Sequence, residues 1–413
     1  MRRALLALVA ATALSLVPAT AANAEPIGGA QLTGYDVIVD PGPGASALPN
    51  VPASAWVLAD LETGAVLAAE APHVPRAPAS VLKALTVLTL SQRLDPNEVY
   101  TSTYDDVAVD GSRVGIVENA TYTVRELFFG LMMQSGNDCA RALAMANGGL
   151  DLTVAQMNQE AQRLQAYDTV AVNPSGLPAE GQVTSAYDLA LIAREGLSRP
   201  DVFEYVNTRV LEDFPGYMPD KPGDPRPTMP IATQNPLFIQ GYEGAIGVKT
   251  GWTTEAGRTF IGAAERDGTS LVVTLLNIEG EIYPAASSLL DWGFANIDEV
   301  TPVGYLVDPI EPMVDEAVAP APADVTDGSN AGITGAEGAD TSTGGTLAAD
   351  QGAESGGISW AWVIALLGAM VVGLLMVIQG IRALRTPPPA PRRPRRPTPS
   401  DDEERIDAGS TTL

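Results

Sequence analysis

Ser80 and Lys83 stand three residues apart, a hydroxyl and an amine within reach of each other on one helical turn. The run Ala77-Pro78-Ala79-Ser80 opens an apolar stretch that reads as a helix from Ser80 to Leu90. A serine hydroxyl is a weak nucleophile until a base takes its proton. Imidazole, the usual base, is scarce here. The one histidine, His73, lies in the loop-like stretch Ala71-Pro72-His73-Val74-Pro75 and reads as a surface or structural residue, with no G-x-S-x-G turn to accompany it. A lysine amine is then the natural base. It works only when neutral, so burial or a neighbouring cation must lower its pKa. Lys83 sits in the otherwise apolar Val81-Leu82-Lys83-Ala84-Leu85, where a lysine needs a partner or a function, and Lys249 is the candidate second cation.

Two more triplets extend the pattern. Ser135-Gly136-Asn137 follows an apolar helix. Ser135 reads as the relay that passes a proton to a departing amine. The Asn137 amide reads as the group that holds the substrate backbone and keeps the two lysines in register. Lys249-Thr250-Gly251 reads as part of an edge strand. Lys249 and Thr250 offer a cation and a hydroxyl to a terminal carboxylate, and Gly251 leaves room for a substrate to lie along the strand. The backbone N–H groups of Ser80 and Trp252 are the candidates for an oxyanion hole. Each triplet alone is common. Their order in one chain is specific, because S-x-x-K, S-x-N and K-T-G together mark serine acyl-transfer enzymes that react with penicillin.

Composition narrows the setting. The 413 residues include 24 Lys and Arg against 50 Asp and Glu, a net charge of -26. That argues against nucleic acid as a partner, because phosphate binding needs clustered cations. A single cysteine, Cys139, leaves no internal disulfide, and a single histidine argues against a catalytic zinc. No metal and no cofactor is expected. Arg2 and Arg3, the apolar run Leu5 to Val17 and the Ala22-Asn23-Ala24 cleavage site read as a signal peptide over residues 1–24. Residues 301–357 carry ten acidic residues and no basic one, and read as a disordered acidic tether. Residues 358–381 are 24 residues without charge, opening with Trp360 and Trp362 and followed by arginines. They read as a transmembrane helix, with residues 382–413 as a disordered cytoplasmic tail. The expectation is therefore a single-pass protein of the cell membrane, with the lipid bilayer as a partner and the body outside.

That body, residues 45–300, mixes two periodicities. Residues 55–60 and 65–69 flank Leu61-Glu62-Thr63-Gly64 as a hairpin. Thr123 to Glu126 is a capping box ahead of a helix over 127–133. Further helices are expected at 141–146, 154–164 and 187–195, strands at 248–250, 259–264 and 271–277, and a late helix near 285–294. This order suggests a sheet built from both ends of the domain with a helical insertion between.

On these motifs the chain resembles the serine-type D-alanyl-D-alanine carboxypeptidases, or low-molecular-mass penicillin-binding proteins. Pro78-Ala79-Ser80 is similar to that family's P-A-S approach to the nucleophile. Asn173-Pro174-Ser175-Gly176-Leu177, followed by Gly181 to Ala190, is similar to its N-P-x-G-L…Q-x-T-S-A-x-D-L stretch, and Gly247 to Gly251 with Ala256-Gly257-Arg258 is similar to its G-x-K-T-G…A-G stretch. The likeness covers roughly residues 55–295. It implies an α/β (α+β) β-lactamase/transpeptidase-like fold: a mostly antiparallel sheet flanked by helices, a helical subdomain, and the site in the cleft between. It also implies removal of the terminal D-alanine from a peptidoglycan stem pentapeptide through an acyl-enzyme on Ser80. Lys83 would be the base, Ser135 the relay and Lys249 the carboxylate anchor, with β-lactams as inhibitors. Several relatives carry a second β-rich domain and an amphipathic surface helix, which the tether and the spanning helix would replace. A class A β-lactamase shares the triplets but adds a deacylating glutamate in E-x-x-L-N, absent between Asn137 and Lys249. A wall-binding protein that had lost activity is the other alternative, and the intact Ser80, Lys83, Ser135, Asn137 and Lys249 argue against it.

Overall fold

The computed structural model describes residues 26–218 and 224–310. Strands β1 (Val37–Pro41), β2 (Ala53–Asp60) and β3 (Ala65–Glu70) come first. Helix α1 (Lys83–Leu90) opens the insertion, followed by β4 (Val99–Thr101), α2 (Tyr104–Val107) and β5 (Thr121–Thr123). Helices α3 (Val124–Met133), α4 (Asn137–Ala146), α5 (Leu150–Arg163), α6 (Ala186–Ser198) and α7 (Pro200–Asn207) complete its body. A ribbon of β6 (Val210–Pro215) and β7 (Thr228–Ala232) and the short α8 (Pro236–Ile239) lead back to the sheet. There β8 (Ala245–Thr253), β9 (Gly257–Arg266) and β10 (Thr269–Ile278) precede α9 (Ile282–Asn296), β11 (Val300–Thr301) and β12 (Gly304–Tyr305).

The sheet runs β11-β1-β3-β2-β10-β9-β8, with β12 paired to β3, and all its pairings are antiparallel. Early and late parts of the described domain meet where β2 pairs with β10, from Leu271 opposite Asp60 to Ile278 opposite Ala53. The two-residue period of the strands sorts their side chains. Val57, Val66, Ile261 and Val272 face the helical insertion, against Leu85, Leu88 and Ile192. Leu58, Phe260, Val273 and Leu275 face α9 and meet Leu289, Leu290 and Trp292. Burying each such large apolar side chain stabilises the fold by roughly 1.5–3 kcal/mol. The expected capping box is present: Glu126 N donates to Thr123 Oγ1 at 3.2 Å and Thr123 N donates to Glu126 Oε2 at 2.7 Å.

One expectation is corrected. Among the described residues no helix is long and apolar enough to cross a membrane. The longest, α9, has 15 residues, about 22 Å at the rise of an α-helix, against a hydrocarbon core of roughly 30 Å. The spanning helix expected at 358–381 lies outside the described residues. Among the described residues the fold class is therefore an antiparallel sheet flanked by helices. The bilayer partner and the single-pass localisation in the cell membrane rested on the spanning helix and are withdrawn with it. The signal at 1–24, the tail at 382–413 and the tether beyond residue 310 likewise lie outside the described residues, whereas residues 301–305 carry short strands of the sheet.

His73 joins distant segments. Its Nδ1 lies 2.8 Å from Asp168 Oδ2, its Nε2 lies 3.1 Å from the Ile27 carbonyl oxygen, and its ring packs on Tyr187 at 4.6 Å between centroids. Beside it Asp188 is buried in the first turn of α6. Its Oδ2 accepts from Thr169 Oγ1 at 2.7 Å, and its Oδ1 has no donor among the described residues. His73, Asp168 and Asp188 bring possible metal-ligating atoms within 4.8 Å of one another, with both ring nitrogens already facing acceptors. Burial pushes the Asp188 carboxyl up to about 7. A carboxyl whose folded pKa is raised holds its proton in the folded state after the unfolded chain has lost it. Its contribution to stability is complete below the unfolded pKa and is lost as pH rises through the folded one. Asp188→Asn cannot ionise and keeps an acceptor for Thr169. Thermal melts between about pH 4 and pH 8 should show a flatter Tm–pH curve for this variant than for the wild type. Parallel curves would exonerate the buried carboxyl.

Candidate active site

The nucleophile sits on a tight turn. Residues Ala79–Leu82 form a single 3-10 turn that passes directly into α1, so Lys83, not Ser80, is the first residue of the α-helix proper. The tighter entry follows from Ala79, whose φ of 51° is left-handed. Ser135, across the cleft, is also left-handed at 58°. A non-glycine residue in that region costs on the order of 1–2 kcal/mol and persists only where surrounding packing dictates it. Ser135 lines the cleft, and Ala79, directly before the nucleophile, is fully enclosed.

Lys83 is fully buried, and its ammonium has three neighbours. Nζ lies 3.1 Å from Ser80 Oγ, donates to Asn137 Oδ1 at 2.7 Å, and donates to the carbonyl oxygen of Ser175. Burial, and then the charge of Lys249, hold the Lys83 amine well below the usual lysine range. A neutral amine has two N–H groups and one lone pair. The Asn137 and Ser175 oxygens can only accept, so they take the two N–H groups. The lone pair is left for the Ser80 hydroxyl, which donates.

The third triplet comes in from the sheet edge. β8 is the last strand on its side, so half of its backbone groups have no partner strand. Lys249 is 2% exposed and its Nζ donates to the Thr250 carbonyl oxygen at 2.7 Å. Burial lowers its pKa to about 7. Gly251 was expected to make room for a substrate, but its missing side chain serves a different neighbour. A Cβ there would stand 2.4 Å from Thr259 Oγ1 and 2.7 Å from Ser80 N. The glycine thus lets the strand close on the nucleophile's turn, and Thr259 Oγ1 secures that contact by donating to the Pro78 carbonyl oxygen at 2.9 Å.

An open cleft of about 350 Å³ lies between the sheet edge and the helical insertion, lined by Ser80, Ser135, Thr250, Gly251, Trp252 and Arg258 among others. The structure thus brings together every residue expected in the site. Ser80, Ser135, Thr250, Gly251 and Trp252 reach the cleft, while Lys83, Asn137 and Lys249 lie just beneath it, each no more than 4% exposed. Sequence reasoning missed the Ser175 carbonyl and the loop carbonyls of Asp110 and Ser112 that hold Asn137. These are backbone oxygens, and no side-chain pattern reports them. Arg258, which enters the cleft opposite Trp252, was visible only as part of Ala256-Gly257-Arg258.

The family model described as D-alanyl-D-alanine carboxypeptidase, Peptidase_S11, matches residues 43–280. The chain is 38% identical over 259 residues to the D-alanyl-D-alanine carboxypeptidase DacB2 of Mycobacterium tuberculosis, covering 61% of this chain and 86% of that protein. It is 30% identical to DacF of Bacillus subtilis over 254 residues, covering 60% of this chain and 63% of that protein. Among solved structures it is similar to a D-alanyl-D-alanine carboxypeptidase from Mycobacterium tuberculosis H37Rv, with a TM-score of 0.60 at 35% identity, covering 65% of this chain and 100% of that one. It is also similar to a Streptomyces K15 DD-transpeptidase mutant, with a TM-score of 0.55 at 26% identity, covering 60% and 99%. The chain belongs to the serine-type D-alanyl-D-alanine carboxypeptidase family, the low-molecular-mass penicillin-binding proteins.

Proposed function

We infer that this enzyme, a serine-type D-Ala-D-Ala carboxypeptidase of peptidoglycan stem peptides, works through an acyl-enzyme on Ser80 with Lys83 as its base. One observation carries the residue roles: a buried lysine amine, depressed in pKa, 3.1 Å from a serine hydroxyl at the floor of an open cleft. Lys83 takes the Ser80 proton as Oγ attacks the carbonyl carbon of the penultimate D-alanine. The developing oxyanion is held by the N–H groups of Ser80 and Trp252, which need no reorganisation to receive it. Ser135 passes a proton to the nitrogen of the departing D-alanine and is refilled by the proton that Lys83 took from Ser80, which leaves the amine neutral again. Water then attacks the ester and gives its proton to Lys83, which returns it to Ser80 Oγ as the acyl bond breaks.

The substrate's own terminus supplies the orientation. Thr250 presents its hydroxyl to the terminal carboxylate, and Lys249, beneath the strand, supplies the positive field behind it. Asn137 has a second amide hydrogen beyond the one given to Asp110, and that hydrogen serves the peptide backbone. A β-lactam places its carbonyl and carboxylate in the same two positions and acylates Ser80.

Ser80→Ala should lower D-alanine release from a diacyl-Lys-D-Ala-D-Ala peptide by about 10³-fold or more and abolish labelling by a fluorescent penicillin. Release that persists in that variant sinks the mechanism. The base also predicts a pH dependence. Acylation should rise with pH as Lys83 loses its proton, with the acid limb below the ordinary lysine range. Lys249→Gln removes the cation that ranks after burial in depressing Lys83. The acid limb of penicillin acylation should therefore move to higher pH in that variant. An unmoved limb would mean that the two lysines are not coupled.

A further inference from the structure

We propose that Asp138 is a positioning residue for this reaction: its buried carboxylate fastens the loop at 110–116 beside the cleft, and that loop holds Asn137 where it meets Lys83. The proposal rests on the reading of Ser80 and Lys83 given above.

Asp138 is fully buried in the first turn of α4 and points at the loop, not into the cleft. Its Oδ1 accepts from Val114 N at 3.1 Å and Cys139 N at 3.0 Å, and its Oδ2 accepts from Gly115 N at 2.8 Å and Ile116 N at 3.1 Å. A carboxylate only accepts, so a ring of amide donors matches it in a way that no neutral side chain of its size can. The loop has little packing of its own to hold it. Asp110, Gly111, Ser112, Arg113 and Gly115 are exposed, Val114 is half-buried, and only Ile116 is buried.

The loop returns the constraint to the reacting groups. The Ser112 carbonyl oxygen accepts from Asn137 N at 2.8 Å, and the Asp110 carbonyl oxygen accepts from Asn137 Nδ2 at 2.7 Å. That fixes the amide so that Oδ1 faces Lys83 Nζ at 2.7 Å. Gly111 makes the approach possible: its φ is +78°, and a Cβ there would stand 2.7 Å from Asn137 Nδ2. Asp138 reaches Lys83 a second way. Among the charged and titratable neighbours of that amine, Lys249 on β8 lowers its pKa, while Asp138 and Cys139 on α4 raise it.

Two substitutions in the full enzyme test this. Asp138→Asn replaces an acceptor oxygen by a donor facing amide hydrogens. It should lower the penicillin acylation rate and kcat for D-alanine release by about 10- to 100-fold, the scale of a small misplacement at a reacting centre. It should also move the acid limb of acylation to lower pH, because a charge that raises the Lys83 pKa is gone. A purely structural role would lower the plateau and leave the limb in place. Gly111→Ala disturbs Asn137 from the loop side without touching Asp138. It should lower the same rate, and the double variant should lose less than the product of the two single losses. The proposal is overturned if folded Asp138→Asn acylates within about twofold of wild type with an unmoved limb, if the two losses multiply, or if Gly111→Ala acylates at the wild-type rate, which decides the matter even where Asp138→Asn does not fold. Wild-type enzyme that forms no penicillin adduct on Ser80 would instead overturn the reaction assigned above.

Discussion

The site depends on keeping one ammonium group out of water. An exposed lysine is protonated at neutral pH and cannot accept a proton from a hydroxyl. Lys83 escapes this because α1 carries it into the interior, where its hydrogen-bond partners among the described residues are one serine, one amide oxygen and one backbone carbonyl oxygen. Burial does most of the depression and Lys249 adds to it. About two fifths of the chain separates these two cations in sequence, so no local segment could produce the effect. The fold brings a helix, a loop and a sheet edge to one point, and the chemistry begins there.

Each of those elements gives up something locally to arrive. Ala79 and Ser135 sit in left-handed backbone without being glycine. Gly251 surrenders a side chain so that β8 can close on the nucleophile's turn. β8 itself stays at the edge of the sheet, where its unpaired groups face the cleft rather than another strand. In an ordinary core these features would be defects. Here the packed layers on both faces of the sheet, with Phe260 beneath α9 and Ile261 beneath the helical insertion, hold them in place.

The triplets were legible because they are side chains at fixed spacing, and the structure gathers all of them at one cleft. The β2–β3 hairpin and the late strands were legible because their apolar residues alternate or run together. What escaped has physical causes. β1 is mostly exposed, and β11 and β12 are two residues each, too short to show a period. Helix α7 carries Pro200 at its start and Asp201 in its first turn, a start signal that residue types do report. The break between Ser80 and α1 lies in the dihedral angle of Ala79, which residue types do not report. Lys249 read as a carboxylate anchor from its charge alone; its burial and its bond to the Thr250 carbonyl oxygen, which set how it acts, belong to the tertiary structure. Hydropathy over 358–381 reads the solvent a segment prefers, and it supplied a spanning helix that no helix among the described residues matches.

The central pairing of β2 with β10 has a bearing on how the protein comes to life. During synthesis the nucleophile, its base and the relay serine all leave the ribosome well before β8, β9 and β10. Until Ile278 is free to pair with Ala53, β2 lacks the neighbour through which β8 reaches Ser80. The strand that carries Lys249 is therefore tied to the nucleophile's turn only once the late strands of the sheet are in place.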